Sequence, residues 1–231
     1  MSQYVLNPTA RCVRAHGLFK AEEYRQVGEF FDMQPTPLWH LPGLASTVGV
    51  ADIMVKDESA RLGLNAFKIL GGSYAIGRLL SEKRISNGSI LVCATEGNHG
   101  RAVARVAREN NLKAKIYMSS DAATSRIDAI EKEGAQVVIV DGNYDDAVRL
   151  AAGDAASNGW TIISDTSWPG YEEIPRWITA GYTQLMIEAE LQWSPNLPPD
   201  VVFVQAGVGG LACAVISRLC QRIGTSVRNC V

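Results

Sequence analysis

A lysine with apolar neighbours is the residue of this sequence best suited to covalent chemistry. Lys68 follows Phe67 and precedes Ile69 and Leu70, at the predicted start of a helix that ends near Glu82. Apolar surroundings disfavour the charged form of an amine, and a neutral amine attacks a carbonyl carbon to form a Schiff base. The alternative is a surface lysine whose methylene stem covers apolar neighbours while its ammonium group reaches water.

A glycine-rich loop, Thr-Glu-Gly-Asn-His-Gly at residues 95–100, follows the predicted strand at 90–94 and precedes a predicted helix. Gly97 and Gly100 allow the backbone to approach a flat ligand closely, and Asn98 offers an amide that hydrogen-bonds a ring substituent. The loop therefore predicts a place for an aromatic ring. The alternative is that it is only a tight connection between strand and helix.

A second glycine-rich loop, Gly-Val-Gly-Gly at residues 207–210, lies between a predicted strand at 201–205 and a predicted helix at 211–222. Backbone N–H groups at a helix amino terminus, together with the helix dipole, favour a bound phosphate. A further pair of glycines, Gly71 and Gly72, follows the lysine. A reactive lysine, a cradle for a ring and a cradle for a phosphate are the parts that a pyridoxal phosphate site requires.

Short apolar strands alternate with helices in this sequence, which predicts an α/β fold with a parallel sheet and crossover helices. We expect a three-layer αβα architecture in two lobes: a small domain at 85–165, and a large domain formed by 1–84 and 166–231. A cofactor would lie in the cleft between the lobes, where loops converge. The predicted strands lie at 53–56, 90–94, 114–118, 136–140, 161–164 and 201–205, and the predicted helices at 21–31, 68–82, 100–110, 122–133, 144–156, 174–191 and 211–222.

The composition excludes several classes of protein. The 231 residues carry a net charge of −2 with 47% apolar residues, so we expect no nucleic-acid partner and no membrane association. No apolar run approaches the ~18 residues of a membrane span, and no signal peptide is predicted. The 5 cysteines and 3 histidines are scattered, which predicts reduced thiols in the cytoplasm and no metal site.

The last predicted helix is followed by a polar tail at 224–231 that contains no closing strand. An α/β layer that ends on a single strand and helix leaves a sheet edge and an apolar face uncovered. We therefore expect the fold to be incomplete at its C-terminus, as in a fragment or a truncated product.

Taken together, these motifs resemble those of the fold-type II pyridoxal phosphate enzymes, the group of tryptophan synthase β, serine/threonine dehydratase and threonine synthase. Within this group the sequence is most similar to the diaminopropionate ammonia-lyase family. The resemblance extends from Thr36 to Leu211, and the family members are considerably longer. The segments that carry the resemblance lie at 67–75, 97–101, 143–146, 165–171 and 205–210.

The resemblance implies roles for individual residues. Lys68 would hold the cofactor covalently, and Asn98 would hydrogen-bond its 3′-hydroxyl oxygen. Asp165 and Glu96 would be the two proton-transfer acids that serve the two substrate enantiomers. Glu96 stands where the family has an aspartate, and the extra methylene moves the carboxylate by about one carbon–carbon bond, which bears on the handling of the D-substrate. The cofactor phosphate would be held by the backbone of Gly207, Val208, Gly209 and Gly210.

The implied reaction is α,β-elimination of 2,3-diaminopropionate to pyruvate and ammonia by a homodimeric enzyme. Asp165, Glu96 or Lys68 would remove the α-proton, and the cofactor ring would absorb the resulting charge. One alternative is a serine or threonine dehydratase, which uses the same cofactor and a hydroxyl leaving group. Another is a truncated, non-catalytic chain that binds the cofactor weakly or pairs with a full-length subunit. The residue that faces the pyridine nitrogen in the family would lie beyond this sequence.

Simpler interpretations exist for several of these residues. Asp165 is suited to capping a turn, and Glu96 to an exposed position beside its loop. His99 is explained more simply by local packing or hydrogen bonding than by a role as a base. Trp168 and Tyr171 are expected in the core or in a pocket wall. A solvated loop is the expectation for the charged residues Asp57, Glu58 and Arg61, with a contact to the substrate as the alternative.

Overall fold

The computed structural model describes residues 18–95, 97–193 and 198–223. Most of the predicted helices and strands are confirmed to within a few residues. The helices are α1 (Ala21–Phe30), α2 (Pro42–Val48), α3 (Lys68–Ser81), α4 (Asn98–Glu109), α5 (Thr124–Glu131), α6 (Tyr144–Asn158), α7 (Glu173–Gln192) and α8 (Gly210–Ile223). The strands are β1 (Leu38–His40), β2 (Met54–Lys56), β3 (Ile90–Ala94), β4 (Lys113–Ser119), β5 (Gln136–Val140) and β6 (Thr161–Ile162).

A parallel sheet of four strands, in the order β5–β4–β3–β6, forms the middle layer of the region that contains α4 to α6. The apolar run of β3 is buried on both faces, as expected for a central parallel strand. Side chains alternate between the faces of a strand. Val92 accordingly packs against Ala147 and Ala151 of α6, whereas Leu91 and Cys93 belong to the core that contains α4. The predicted αβα layering is therefore present here.

A helical layer of α3, α7 and α8 packs beside α4, and glycines allow α3 and α7 to approach closely. A Cβ added at Gly71 would lie 2.5 Å from Cε1 of Tyr182 and 2.8 Å from the carbonyl oxygen of Ile178. A Cβ added at Gly181 would lie 2.6 Å from the carbonyl oxygen of Leu70. This contact fixes the first turn of α3, and with it Lys68, against the middle of α7.

The segment 57–61 was expected to be solvated, and for Arg61 that prediction is wrong, because the residue is only 1% exposed. Its guanidinium group donates hydrogen bonds of 2.7 Å to both carboxylate oxygens of Glu58 and to both of Glu188. Lys56 donates to Glu188 as well, at 2.7 Å. We call Lys56, Glu58, Arg61 and Glu188 the Arg61 cluster. Local sequence did not indicate it because Glu188 lies on α7, 127 residues beyond Arg61.

Charge pairing in the Arg61 cluster offsets the cost of burial. Burial alone would raise the pKa of Glu188, but the adjacent Arg61 and Lys56 outweigh this effect and lower it. For Lys56 the balance is the opposite, since burial lowers its pKa more than Glu188 raises it. The cluster ties β2 and the turn at 61–63 to the C-terminal half of α7.

The backbone that connects the Arg61 cluster to α3 has an unusual conformation. Leu62, Gly63 and Asn65 have φ values of 46°, 68° and 63°, in the left-handed region. Residues with a Cβ adopt this conformation at a cost of about 1 kcal/mol or more each. The cluster at one end and the α3–α7 contact at the other hold the segment in this path, which leads directly into Lys68.

The predicted strand at 201–205 is wrong. Residues 198–206 form neither helix nor strand, and the side chain of Phe203 is 94% exposed. An apolar run becomes a strand only where a partner strand satisfies its backbone groups, and no strand among the described residues pairs with this segment. The predicted polar tail at 224–231 lies outside the described residues. In the described part of the chain, none of the helices has the length and apolar character that crossing a membrane requires.

Candidate functional site

Three helix amino termini carry the segments that the sequence singled out. α3 begins at Lys68, α4 at Asn98 and α8 at Gly210. The first backbone N–H groups of a helix have no partner within it, and the helix dipole adds a partial positive charge there. The three predicted segments therefore share the partial positive charge of a helix amino terminus, although in α3 the N–H groups of Ile69 and Leu70 already donate to backbone carbonyls.

Lys68 and Asp165 form the centre of the site. The Nζ atom of Lys68 donates a short hydrogen bond to Oδ2 of Asp165, which joins the start of α3 to the loop after β6. The side chain of Lys68 is 22% exposed and that of Asp165 is 9% exposed, so the pair lies just beneath the surface. Burial would raise the pKa of Asp165, but the charges of His99 and Lys68 outweigh it and lower that pKa. The carboxylate form of Asp165 is therefore favoured.

His99 lies beside the same carboxylate. Its Nε2 atom donates to the backbone carbonyl of Ile163 at 2.7 Å, because a carbonyl oxygen can only accept. Its Nδ1 atom is 3.9 Å from Oδ2 of Asp165 and has no hydrogen-bond partner among the described residues. His99 is buried and hydrogen-bonded, as the simpler interpretation expects, but its partner Ile163 lies 64 residues away. Its position beside Asp165 was not indicated by local sequence.

The loop before α4 is shaped by Thr95. Its hydroxyl oxygen accepts hydrogen bonds from the backbone N–H groups of Gly97 at 3.0 Å and Gly100 at 3.3 Å. Gly97 has a φ of 153°, which favours glycine. Asn98, the predicted ring-binding residue, is exposed at the first position of α4. Glu96 lies outside the described residues.

The loop at 207–210 leads into α8. Gly209 has a φ of 91°, and its carbonyl oxygen accepts the N–H of Cys213 at 2.8 Å, which opens the helix. Gly207 and Val208 are exposed, and a Cβ added at either Gly207 or Gly209 would meet no atom within 4 Å. Space for a ligand is therefore present around these backbone N–H groups. A Cβ at Gly210, in contrast, would lie 3.4 Å from the ring of Tyr182.

Tyr171 holds the loop that carries Asp165. Its hydroxyl accepts the N–H of Ser164 at 2.9 Å and donates to the carbonyl of Ile162 at 2.9 Å. Its ring stacks on that of Trp168 with centroids 4.2 Å apart, and both residues are half-buried. Sequence motifs alone did not indicate how Tyr171 fixes the acid.

Two further polar groups near Asp165 were missed by the sequence analysis. The hydroxyl groups of Thr166 and Tyr182 are buried and have no hydrogen-bond partner among the described residues. Thr166 follows Asp165 directly, but Tyr182 is one of many residues on a long helix, where periodicity predicts only a core position. We call Lys68, His99, Asp165 and Tyr182 the site cluster.

The groups in the site cluster and its loops fit pyridoxal phosphate. Lys68 supplies an amine for the aldehyde, the backbone N–H groups at the start of α8 suit a phosphate, and Asn98 supplies an amide for a ring oxygen. The unpaired hydroxyl of Tyr182 is a further donor for a bound anion. In the described ranges, no three His, Cys, Asp or Glu side chains are placed to bind a metal ion.

Comparison with known proteins agrees with this fit. The family model described as "Pyridoxal-phosphate dependent enzyme" matches residues 30–230, and the chain belongs to that family. The predicted fold-type II class and its cofactor family are thereby confirmed.

Particular relatives are also evident. Diaminopropionate ammonia-lyase of Escherichia coli K12 is 44% identical over 202 residues, which cover 80% of this chain and 51% of the relative. A crystal structure of the Escherichia coli lyase in complex with an aminoacrylate–PLP azomethine intermediate matches with a TM-score of 0.82 and 40% identity, covering 94% of this chain and 58% of that one. Biosynthetic L-threonine dehydratase of Haemophilus influenzae is 31% identical over 188 residues, which cover 81% of this chain and 34% of the relative. The chain thus spans about half the length of the lyase.

Proposed function

We propose that this chain acts in the elimination of ammonia from 2,3-diaminopropionate with pyridoxal phosphate as cofactor. The observation that carries the proposal is the contact between Lys68 and Asp165 at the amino terminus of α3. It places an amine able to bind the cofactor next to a buried carboxylate able to move a proton. The similarity to diaminopropionate ammonia-lyase supports the choice of substrate.

Each site residue has a defined role in this proposal. Bound pyridoxal phosphate supplies the aldehyde for substrate attachment and a ring that accepts charge from the substrate α-carbon. Lys68 holds the cofactor, and Asn98 hydrogen-bonds its ring oxygen. The N–H groups of residues 207–210 bind its phosphate. Tyr171 positions the loop that carries Asp165 through its hydrogen bonds to the backbone of Ser164 and Ile162.

Proton transfer is assigned to Asp165, with Glu96 as the second acid. Asp165 is favoured as the carboxylate, which is the form that can accept a proton from the substrate α-carbon. The Lys68 amine contacts Asp165 in the structure and would be the next group to share that proton. Glu96 would serve the opposite face of the substrate, and its longer side chain predicts unequal rates for the two enantiomers.

We also propose the domain boundaries, the oligomeric state and the cellular location of this chain. We assign the small domain to 85–165 and the large domain to 1–84 and 166–231, because the parallel sheet lies within the first range. Exposed apolar side chains on α2 and β2, among them Val48 and Val55, support a homodimer. The free thiols of Cys93, Cys213 and Cys220 support a cytoplasmic location.

Pyruvate release tests the proposed reaction. The chain is incubated with pyridoxal phosphate and each enantiomer of 2,3-diaminopropionate, and pyruvate is followed with a coupled dehydrogenase. We expect pyruvate from at least one enantiomer with the wild-type protein and none with Lys68→Ala. Absence of pyruvate from both enantiomers, in a wild-type chain that binds the cofactor, would contradict the proposed reaction.

A dehydratase reaction is the second candidate, and the similarity to L-threonine dehydratase supports it. The two candidates differ in the leaving group, which is an amine in one and a hydroxyl in the other. The same assay with L-serine and L-threonine separates them. We expect faster turnover of diaminopropionate, and faster turnover of either hydroxy amino acid would assign the chain to the dehydratases.

A further inference from the structure

Tyr182 is a fully buried tyrosine whose hydroxyl group has no partner among the described residues. The residue is 2% exposed, and its ring packs edge-on against Phe67 with centroids 5.1 Å apart. Two other buried tyrosines are paired: the hydroxyl of Tyr24 bonds to Ser217 at 3.1 Å, and that of Tyr117 bonds to Asp154. Burying an unpaired hydroxyl costs free energy that a phenylalanine would not incur. Packing alone therefore does not explain why residue 182 carries a hydroxyl group.

The ring of Tyr182 lies between two helix amino termini. Its Cε1 edge meets Gly71 in the first turn of α3, where an added Cβ would be 2.5 Å away. Its Cε2 edge faces Gly210 at the start of α8, where an added Cβ would be 3.4 Å away. The hydroxyl group is bonded to the ring carbon between these two edges. Two helix dipoles thus direct positive potential toward the surroundings of one unpaired hydroxyl.

The hydroxyl group remains a donor under ordinary conditions. Burial and the negative charge of Asp165 raise the pKa of Tyr182, so the phenol keeps its proton. A protonated hydroxyl that finds no acceptor in the described protein is suited to a ligand that carries acceptor oxygens and negative charge. A phosphate has both properties.

We propose that the Tyr182 hydroxyl donates a hydrogen bond to the phosphate of pyridoxal phosphate, beside the backbone N–H groups at the amino terminus of α8. This inference rests on the proposed function, because it takes the cofactor as the ligand. It adds a side-chain donor to a phosphate site that the sequence assigned to backbone alone. It also explains why α7 carries a tyrosine rather than a phenylalanine where it contacts Gly71.

The test compares pyridoxal phosphate with pyridoxal, which has the same ring and aldehyde but no phosphate. Each is titrated into the wild-type chain, Tyr182→Phe and Tyr117→Phe, and binding is followed by absorbance. We expect Tyr182→Phe to weaken the binding of pyridoxal phosphate about tenfold to a hundredfold, as for the loss of a hydrogen bond to a charged group. Binding of pyridoxal should change less than twofold. Tyr117→Phe, which removes a hydroxyl away from the site, should leave both unchanged.

Stability of the ligand-free chain separates this role from a structural one. Tyr182→Phe removes an unpaired hydroxyl, so urea unfolding without ligand should show equal or greater stability than in the wild type. Tyr117→Phe removes a paired hydroxyl and should lower stability. A structural role for the Tyr182 hydroxyl would lower the stability of the ligand-free Tyr182→Phe chain, and that result would overturn the assignment.

The remaining outcomes are also decisive. Equal weakening of pyridoxal phosphate and pyridoxal by Tyr182→Phe would place the hydroxyl away from the phosphate and overturn the inference. Unchanged binding of pyridoxal phosphate by Tyr182→Phe would also overturn the inference, but it would leave the proposed function intact. A wild-type chain that binds neither compound would overturn the proposed function together with this inference.

Discussion

Two groups of buried charged and polar side chains contact the same helix, α7, but they differ in how completely they are paired. In the Arg61 cluster, Arg61 makes hydrogen bonds of 2.7 Å with both oxygens of Glu58 and both oxygens of Glu188. In the site cluster, Nδ1 of His99 and the hydroxyl of Tyr182 have no partner among the described residues. Pairing within the protein favours a structural role, and unpaired polar atoms favour a ligand.

The comparison teaches that burial of charge does not by itself mark a functional site. Arg61 is 1% exposed, less than either member of the Lys68–Asp165 pair, yet its contacts are all accounted for by the fold. The site cluster instead lies where three helices begin and is partly open to solvent. The site cluster is distinguished by polar atoms of His99 and Tyr182 that have no hydrogen-bond partner among the described residues.

The largest effect on stability should come from the Arg61 cluster. Arg61→Met leaves Glu58 and Glu188 without their guanidinium partner, and breaking a buried ion pair costs about 3–5 kcal/mol. Urea unfolding measures the loss. Arg25→Met is the control, since Arg25 makes exposed ion pairs on α1 and its removal should change stability little. Equal effects of the two substitutions would show that the Arg61 cluster has no special structural role.

A smaller loss of stability is expected at the contact between α3 and α7 that positions the site cluster. Gly71→Ala places a methyl group against the ring of Tyr182 and the backbone of Ile178, and such overpacking costs about 1–3 kcal/mol. Because α3 must move, binding of pyridoxal phosphate should weaken as well. Gly153→Ala on α6 is the matched control, since an added Cβ there meets nothing within 4 Å. It should stabilise the helix by about 0.5–1 kcal/mol. Unaltered stability and binding in Gly71→Ala would contradict the described packing.

The smallest predicted change in stability is that of Asp165→Asn in the ligand-free chain, and its size depends on pH. The pKa of Asp165 is lowered on folding, so its stabilising contribution is present above the unfolded value of about 4 and is lost as pH falls through the folded value. Asp165→Asn should therefore cost about 1–2 kcal/mol near pH 6 and less near pH 3. Urea unfolding of both proteins at the two pH values measures this. A cost that increases on acidification would contradict the ion pair with Lys68.

Much of the fold was predictable because its signals are local. The strand at 90–94 and the helix that begins at Lys68 follow from apolar periodicity within a few residues. The strand at 201–205 failed because a strand also needs a partner, which no local pattern supplies. Its apolar residues form an irregular, largely exposed segment in the structure.

The candidate site was predictable to the extent that its chemistry lies in short motifs. Lys68, Asp165 and the glycine loops stand in such motifs, and the structure brings Lys68 and Asp165 into contact. Tyr182 and the Arg61 cluster were missed because their partners are distant in sequence. In the sequence, Tyr182 is a tyrosine on a buried helix and Arg61 is an arginine in a charged loop. Only the fold shows which atoms surround the hydroxyl of one and the guanidinium group of the other.

Trapping of the cofactor on lysine tests the central claim most directly, because each cluster contains one half-buried lysine. Lys56 directs its Nζ atom to the carbonyl of Thr36 at 2.6 Å, to Glu188 at 2.7 Å and to Gln192 at 2.9 Å, which uses all its donors. The wild-type chain is treated with pyridoxal phosphate and borohydride and then mapped by peptide mass spectrometry. We predict a stoichiometric adduct on Lys68 and none on Lys56. An adduct on Lys56, or labelling of exposed lysines with none on Lys68, would contradict the assignment of the site.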